Sequence, residues 1–178
     1  MKKKERTQKE IKNRLYNEFY ETVKDLIEHP AVLSMKDYPH HCTTSCYQHC
    51  LNVAYYNYKV CKSLGLDARA AARAGMVHDL FLYDWRTHAK NTNQYFHAMT
   101  HPKAARDNAM KYFDLNDLEQ DIILKHMWPL TVIPPKSWEA FIIGMTDKYC
   151  GFFEIADYYS EHLTPNWLHF PFGKMHVK

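Results

Sequence analysis

Apolar side chains recur every three or four residues through most of this chain, the period of an amphipathic helix. No run of alternating β-branched residues reads as a strand, and Val132-Ile133 is too short to count. From residue 8 to residue 28 the stripe is Ile11, Leu15, Phe19, Val23, Leu26 and Ile27, a core-facing helix. His29-Pro30 ends it, because the residue before a proline is pushed out of the helical region. A short segment from Ala31 to Lys36 leads into a turn at Asp37-Tyr38-Pro39. Thr43 or Thr44 is placed to cap a second long helix, which runs to Leu64 and stops at Gly65. Its apolar face holds Cys46, Cys50, Val53, Ala54, Val60, Cys61 and Leu64. Asp67 caps an alanine-rich helix from Ala68 to about Leu80, with His78-Asp79 in its last turn.

Beyond it the pattern predicts a loop from Tyr83 to about Ala98, holding Trp85, Arg86, His88 and His97. Thr100 then caps a helix that carries His101 and Pro102 in its first turn and ends near Phe113. Asn116 and Glu119 make a capping box for a helix through His126. Trp128-Pro129 and Pro134-Pro135 bracket a loop, and Ser137 caps a last helix from Trp138 to about Tyr159. The end of the chain, 164–178, reads as an irregular aromatic tail with Trp167, Phe170 and Phe172. Lys2 to Lys4 read as a frayed basic start. Without repeats, low-complexity tracts or a linker, the expectation is one all-α helical bundle spanning residues 1–178 as a single domain.

Composition narrows the function classes. A formal net charge of +3 is too small to be the footprint of a nucleic-acid-polymer binder. The longest apolar stretches, such as Ala140-Phe141-Ile142-Ile143, are too short to span a membrane, and the basic start lacks the apolar core of a secretory signal. The expected location is the cytoplasm. Five cysteines, an odd number, then read as reduced thiols. Cys42, Cys46 and Cys50 stand four residues apart, and a zinc reading would add His41 or His49; buried thiols on one helix face are the plainer account.

The compositional oddity is 12 histidines. His49, the pair His78-Asp79, His101, His126 and Asp147 are strung through the middle of the chain at intervals of about one helix plus a turn. A bundle threading back and forth brings one such group from each helix to a common centre. Imidazole and carboxylate hold divalent metals, and four histidines with two aspartates suffice for two ions that keep positions open to water. Asp147 sits among Ile142, Ile143, Met145 and Tyr149, where an unpaired carboxylate is costly to bury and a metal would pair it.

At these residues the chain resembles the HD superfamily of metal-dependent phosphohydrolases, whose pattern is His, then His-Asp, then Asp, on successive helices. Here those are His49, His78, Asp79 and Asp147, in the contexts Gln48-His49-Cys50-Leu51-Asn52-Val53-Ala54 and Ala74-Gly75-Met76-Val77-His78-Asp79-Leu80. The resemblance covers about residues 40–155. His101 and His126 match two further histidines of a binuclear subset. That subset includes hydrolases of symmetrical dinucleoside polyphosphates and mixed-valent diiron oxygenases. Its cyclic-dinucleotide phosphodiesterases carry a Gly-Tyr-Pro signature, which this chain lacks.

The resemblance implies an HD-type helical bundle holding two divalent ions. Asp79 would bridge them, with His49, His78 and Asp147 on one and His101 and His126 on the other. Asp79 and His78 would be the catalytic pair, and a metal-activated water would cleave a small phosphorylated molecule, a nucleotide or dinucleoside polyphosphate. A diiron oxygenase is the alternative. Substrate contacts are expected from Lys125, Lys148, His41 and Arg86, with Lys103, His40, Trp85 and Trp128 as further candidates. Arg69 and Arg73 read as salt-bridged surface groups.

Overall fold

The alanine-rich segment after Asp67 is the central element of the molecule. In a computed structural model, which describes residues 2–87 and 96–163 and the side chains of 10–87 and 96–160, it forms a short helix touched by every long helix. The order is α1 (Lys2–Ile27), α2 (Pro30–Leu33) running into a 3-10 turn (Ser34–Asp37), α3 (Cys46–Ser63), α4 (Ala68–Val77), α5 (His97–Tyr112), α6 (Asp117–Lys125) and α7 (Trp138–Leu163). Among the described residues the only paired extended backbone is a bridge between Pro39 and Ser45. The all-α bundle expected from periodicity is therefore the fold found. No helix among the described residues is long and apolar enough to cross a membrane. The aromatic tail and His88 lie outside the described residues.

Every residue of α4 from Ala70 to Val77 is buried, as suits a helix surrounded on all sides. Small side chains let its neighbours approach. A Cβ on Gly75 would lie 2.8 Å from the Ala54 Cα on α3, so the contact between α3 and α4 exists only because residue 75 is glycine. Around this pair pack Phe19, Val23 and Leu26 from α1, Leu51 from α3, Met76 from α4, Ile122 and Ile123 from α6 and Ile143 from α7. Each such side chain contributes about 1.5–3 kcal/mol of burial.

Several local expectations are corrected. Ser45 caps α3, accepting from Gln48 N at 3.2 Å, because Thr44 is engaged in the preceding turn with His40 and His41. α5 opens at His97, three residues before the expected Thr100 cap. The Thr100 hydroxyl instead donates back to Phe96 O at 3.1 Å, which places His101 in the second turn. α1 begins at Lys2, so the basic start is helical. Ile11 and Leu64, assigned to apolar faces, are exposed: the buried residues of α1 begin only at Phe19, two turns beyond Ile11, and Leu64 lies just past the end of α3.

Arg73 is salt-bridged but not at the surface. It is 7% exposed, bonds Asp25 through both terminal nitrogens at 2.6 and 2.9 Å, and brings its Nε to 3.2 Å from Glu119 Oε1. Glu119 is itself buried, and its other oxygen completes the capping box with Asn116 N. The network ties α1, α4 and α6 together.

Two outcomes follow from this packing. Gly75→Ala should cost about 1–3 kcal/mol by overpacking, read from urea unfolding, and should also disturb the site built on α3 and α4. Arg73→Met leaves a buried carboxylate unpaired and should cost about 3–5 kcal/mol, whereas Asp25→Asn, at the exposed end of the network, should cost no more than about 1 kcal/mol.

Candidate metal centre

Five helices deliver one group each to the same place. His49 comes from the first half of α3, and His101 from the second turn of α5. His78 and His126 are the residues on which α4 and α6 end, and Asp147 lies mid-way along α7. Asp79 follows His78 into the turn. All four histidines and Asp79 are buried, with His49 and His78 wholly sealed.

The same device orients all four rings. The Nδ1–H of His78 donates to Gly75 O at 2.8 Å, and that of His126 to Ile123 O at 2.7 Å. Each histidine thus satisfies a carbonyl that its own helix end leaves open. His101 Nδ1–H donates to His97 O at 2.9 Å, and His49 Nδ1–H to Glu154 Oε2 at 2.9 Å. With every Nδ1 committed, every Nε2 points inward. His49 Nε2 lies 3.0 Å from Asp147 Oδ1, and His78 Nε2 lies 3.5 Å from Asp79 Oδ2. His101 and His126 bring theirs to 3.1 and 3.6 Å from Asp79 Oδ1.

This arrangement fits a cation. His101 Nε2 and His126 Nε2 stand 2.8 Å apart, and two imidazole lone pairs that close need a positive charge between them. His78 Nε2 and Asp79 Oδ1 are buried without a hydrogen-bond partner. In the groups His49–His78–Asp79, His78–His126–Asp147 and Asp79–His101–His126, candidate ligand atoms lie within 4.8 Å of one another. Anchoring of the distal ring nitrogen by a carbonyl or carboxylate is the usual setting of a metal-bound histidine. These clusters could hold metal ions.

The electrostatics are those of a site built around positive charge. Burial opposes ionisation of Asp79, but the adjacent His78 and His101 hold it well below the usual carboxylate range. Asp147 is likewise buried yet held well below that range by His49 and His78. Burial also works against a charged His49 or His78, but Asp147 and Glu154 beside the first and Asp79 beside the second raise both well above normal. His126 behaves oppositely, since burial and then the charges of His101 and His78 push it down to about 3.

Above the centre opens a cleft of about 430 Å³. Asp79, His101, His126 and Asp147 reach its floor, and His40, His41, Trp85, Met127, Phe152 and Ile155 are among its walls. Lys148 also lines it, with its ammonium donating to Gly144 O at 3.0 Å and Trp128 O at 3.3 Å. The other expected substrate contacts are placed differently. Lys125, next to His126 but turned from it by the helical step, lines a separate recess of about 90 Å³ with Trp128. Arg86 is exposed, stands over Trp85 and donates to His40 O at 3.4 Å and Cys42 O at 3.5 Å. Lys103 is exposed on α5. His41 lines the cleft with its pKa lowered to about 4 by burial and the neighbouring His40 and His49.

The cysteines are free thiols, four of them buried. Cys46 and Cys50 lie close to Asp79, but burial pushes both thiols up, so they stay protonated and poor as ligands. Two participants, Glu154 and Asn52, escaped the sequence reading, and a third, His40, was read in another role. Glu154 anchors His49 and accepts from Asn52 Nδ2 at 2.9 Å. Its signal was present, since Glu154 lies two helical turns beyond Asp147 and Asn52 nearly one turn beyond His49, on the same faces. His40, expected as a further substrate contact, lies with its Nε2 2.7 Å from Asp79 Oδ2, and nothing local in the sequence marks that contact.

Among family models, the one for the HD domain matches residues 46–161, which span all six expected ligands. No curated protein and no solved structure matches the chain.

His126 makes the pH behaviour testable. In the native state it stays neutral down to about 3, whereas an unfolded histidine titrates near 6.5. Between those values the unfolded chain binds the extra proton, so stability falls as pH falls. In the presence of chelator, the wild type should lose up to about 1.4 kcal/mol per pH unit more than His126→Asn across this window. Parallel declines in chemical-denaturation curves of the two proteins would contradict this.

Proposed function

The chain belongs to the HD domain family, and from that premise we propose that it is a metal-dependent phosphohydrolase. The bond cleaved is a phosphoester or phosphoanhydride of a small phosphorylated molecule, with a nucleotide or dinucleoside polyphosphate as the leading class. The observation that carries this reading is the convergence of four anchored imidazole Nε2 atoms and two carboxylates beneath one open cleft. His49, His78, Asp79 and Asp147 would hold one divalent ion, and His101 and His126 together with Asp79 would hold a second. Ions so held supply activation of water at neutral pH and neutralisation of charge on phosphoryl oxygens.

The chain's own residues do the rest. Backbone carbonyls and Glu154 keep the imidazoles in one tautomer and one orientation, so little reorganisation accompanies reaction. Lys148, exposed on the cleft lining, uses two protons on carbonyls, and an ammonium has three, so one remains to hold a phosphoryl oxygen. Trp85, Met127, Phe152 and Ile155 give the organic part of the substrate an apolar wall and limit water around the reacting group. The diiron oxygenase alternative draws on the same six side chains and has no observation of its own.

The test pairs metal analysis with phosphate release. The wild type should carry divalent ions, lose activity in chelator and regain it on reloading with manganese, cobalt, zinc, magnesium or iron. Asp79→Ala should lower phosphate release from a nucleotide panel by at least roughly 100- to 1,000-fold and bind less metal. Activity indifferent to both chelator and Asp79→Ala would overturn the reading.

A further inference from the structure

His40 stands against the centre without belonging to the proposed ligand set. The loop that carries it is pinned at several points. His40 N donates to Thr44 O at 2.9 Å, Thr44 N to His41 O at 2.8 Å, and Cys46 N to Tyr38 O at 2.8 Å. The turn passes through Cys42 at φ 50°, left-handed backbone that a non-glycine residue keeps only when its surroundings enforce it. So held, the His40 ring lies flat on the His49 ring, with centroids 4.1 Å apart and planes 8° from parallel.

The Nε2 of His40 makes the shortest of the imidazole approaches to Asp79, 2.7 Å from Oδ2, against 3.1 Å for His101, 3.5 Å for His78 and 3.6 Å for His126. A carboxylate only accepts, so the proton of this contact sits on His40 Nε2. That is the reverse of His49, His78, His101 and His126, whose Nδ1 atoms are the anchored donors. His40 Nδ1, the atom those rings use as their anchor, is buried and has no partner. His40 is thus oriented by its loop and its stacking rather than by a distal hydrogen bond, and its donor is spent on the carboxylate.

We propose that His40 is a positioning residue for Asp79. Its Nε2–H clamps Oδ2 and fixes the plane of the carboxylate, which keeps Oδ1 turned to the His101–His126 pair. One lone pair of Oδ2 is taken by His40, and the other remains on the side of His78. The inference rests on the reading of Asp79 as the shared ligand given under Proposed function, and it assigns to His40 an action on that ligand rather than on substrate.

The test uses the full-length protein and cobalt(II) as the probe. His40→Phe keeps a ring to stack on His49 and removes the donor, whereas His40→Gln keeps an N–H that can reach Asp79. His40→Phe should bind as many cobalt ions per chain as the wild type, each 10- to 100-fold more weakly, with a changed ligand-field spectrum. His40→Gln should recover part of the affinity. Equal affinity in wild type and His40→Phe overturns the proposal, as does loss of a whole ion, which would make His40 a ligand.

A second readout needs no metal. Long-range proton–nitrogen NMR of the chelated protein should show the His40 proton on Nε2, and a proton on Nδ1 alone overturns the clamp. If the wild type takes up no cobalt while His40 carries its proton on Nε2, the functional reading fails and the contact to Asp79 stands.

Discussion

The burial of Asp79 among imidazoles is the constraint on which the rest of this molecule depends. The residue is 4% exposed, and four histidine Nε2 atoms lie within 3.6 Å of its two oxygens. A lone carboxylate there would be prohibitively desolvated, so the surrounding groups must supply compensating charge. The surroundings do so, since Asp79 is held in its ionised form despite its burial. Each imidazole is held in turn by a carbonyl, a carboxylate or a pinned loop, so the arrangement extends outward from Asp79 through two layers of hydrogen bonds.

That arrangement needs a rigid centre, and α4 supplies it. Packed helix axes sit about 8–10 Å apart, at a distance set by the side chains at the contact. Gly75 facing Ala54 puts α3 and α4 in close contact, and one turn after Gly75 the His78 ring lies 5.5 Å from that of His49. The Asp25–Arg73–Glu119 network locks α4 against α1 and α6 on the side away from the cleft. Stability and site geometry are therefore carried by the same short helix, which is why a single added methyl group is expected to affect both.

Local chemistry repeats with economy. His78 and His126 each end a helix, and each turns its Nδ1 back onto the carbonyl three residues earlier. A helix terminus thereby satisfies an open acceptor and presents a bare Nε2 to the centre in one step. Two non-glycine residues in left-handed backbone, Cys42 and Leu82, flank the site, one beside His40-His41 and one shortly after Asp79. Strain of this kind is held where the chain must turn sharply to present a functional group.

Much of this was legible before any coordinates. Apolar spacing gave the helices, Asp67 and the Asn116–Glu119 box gave two of their starts, and the spacing of His49, His78-Asp79, His101, His126 and Asp147 announced a common centre. These are local properties, carried by neighbours a few residues apart or by one residue per helix, so a linear reading can find them. Other features depend on elements distant in the chain. The burial of Arg73 follows from packing α1 and α6 around α4, and the contact of His40 with Asp79 joins residues 39 apart through a pinned turn. That Lys125 borders only the smaller recess, while Lys148 borders both it and the cleft, follows from how α6 and α7 meet. The chain alone determined which groups exist and roughly which helix carries each. Only the tertiary structure decided which nitrogen faces which oxygen, because that depends on helix rotation and close approach, which no local pattern encodes.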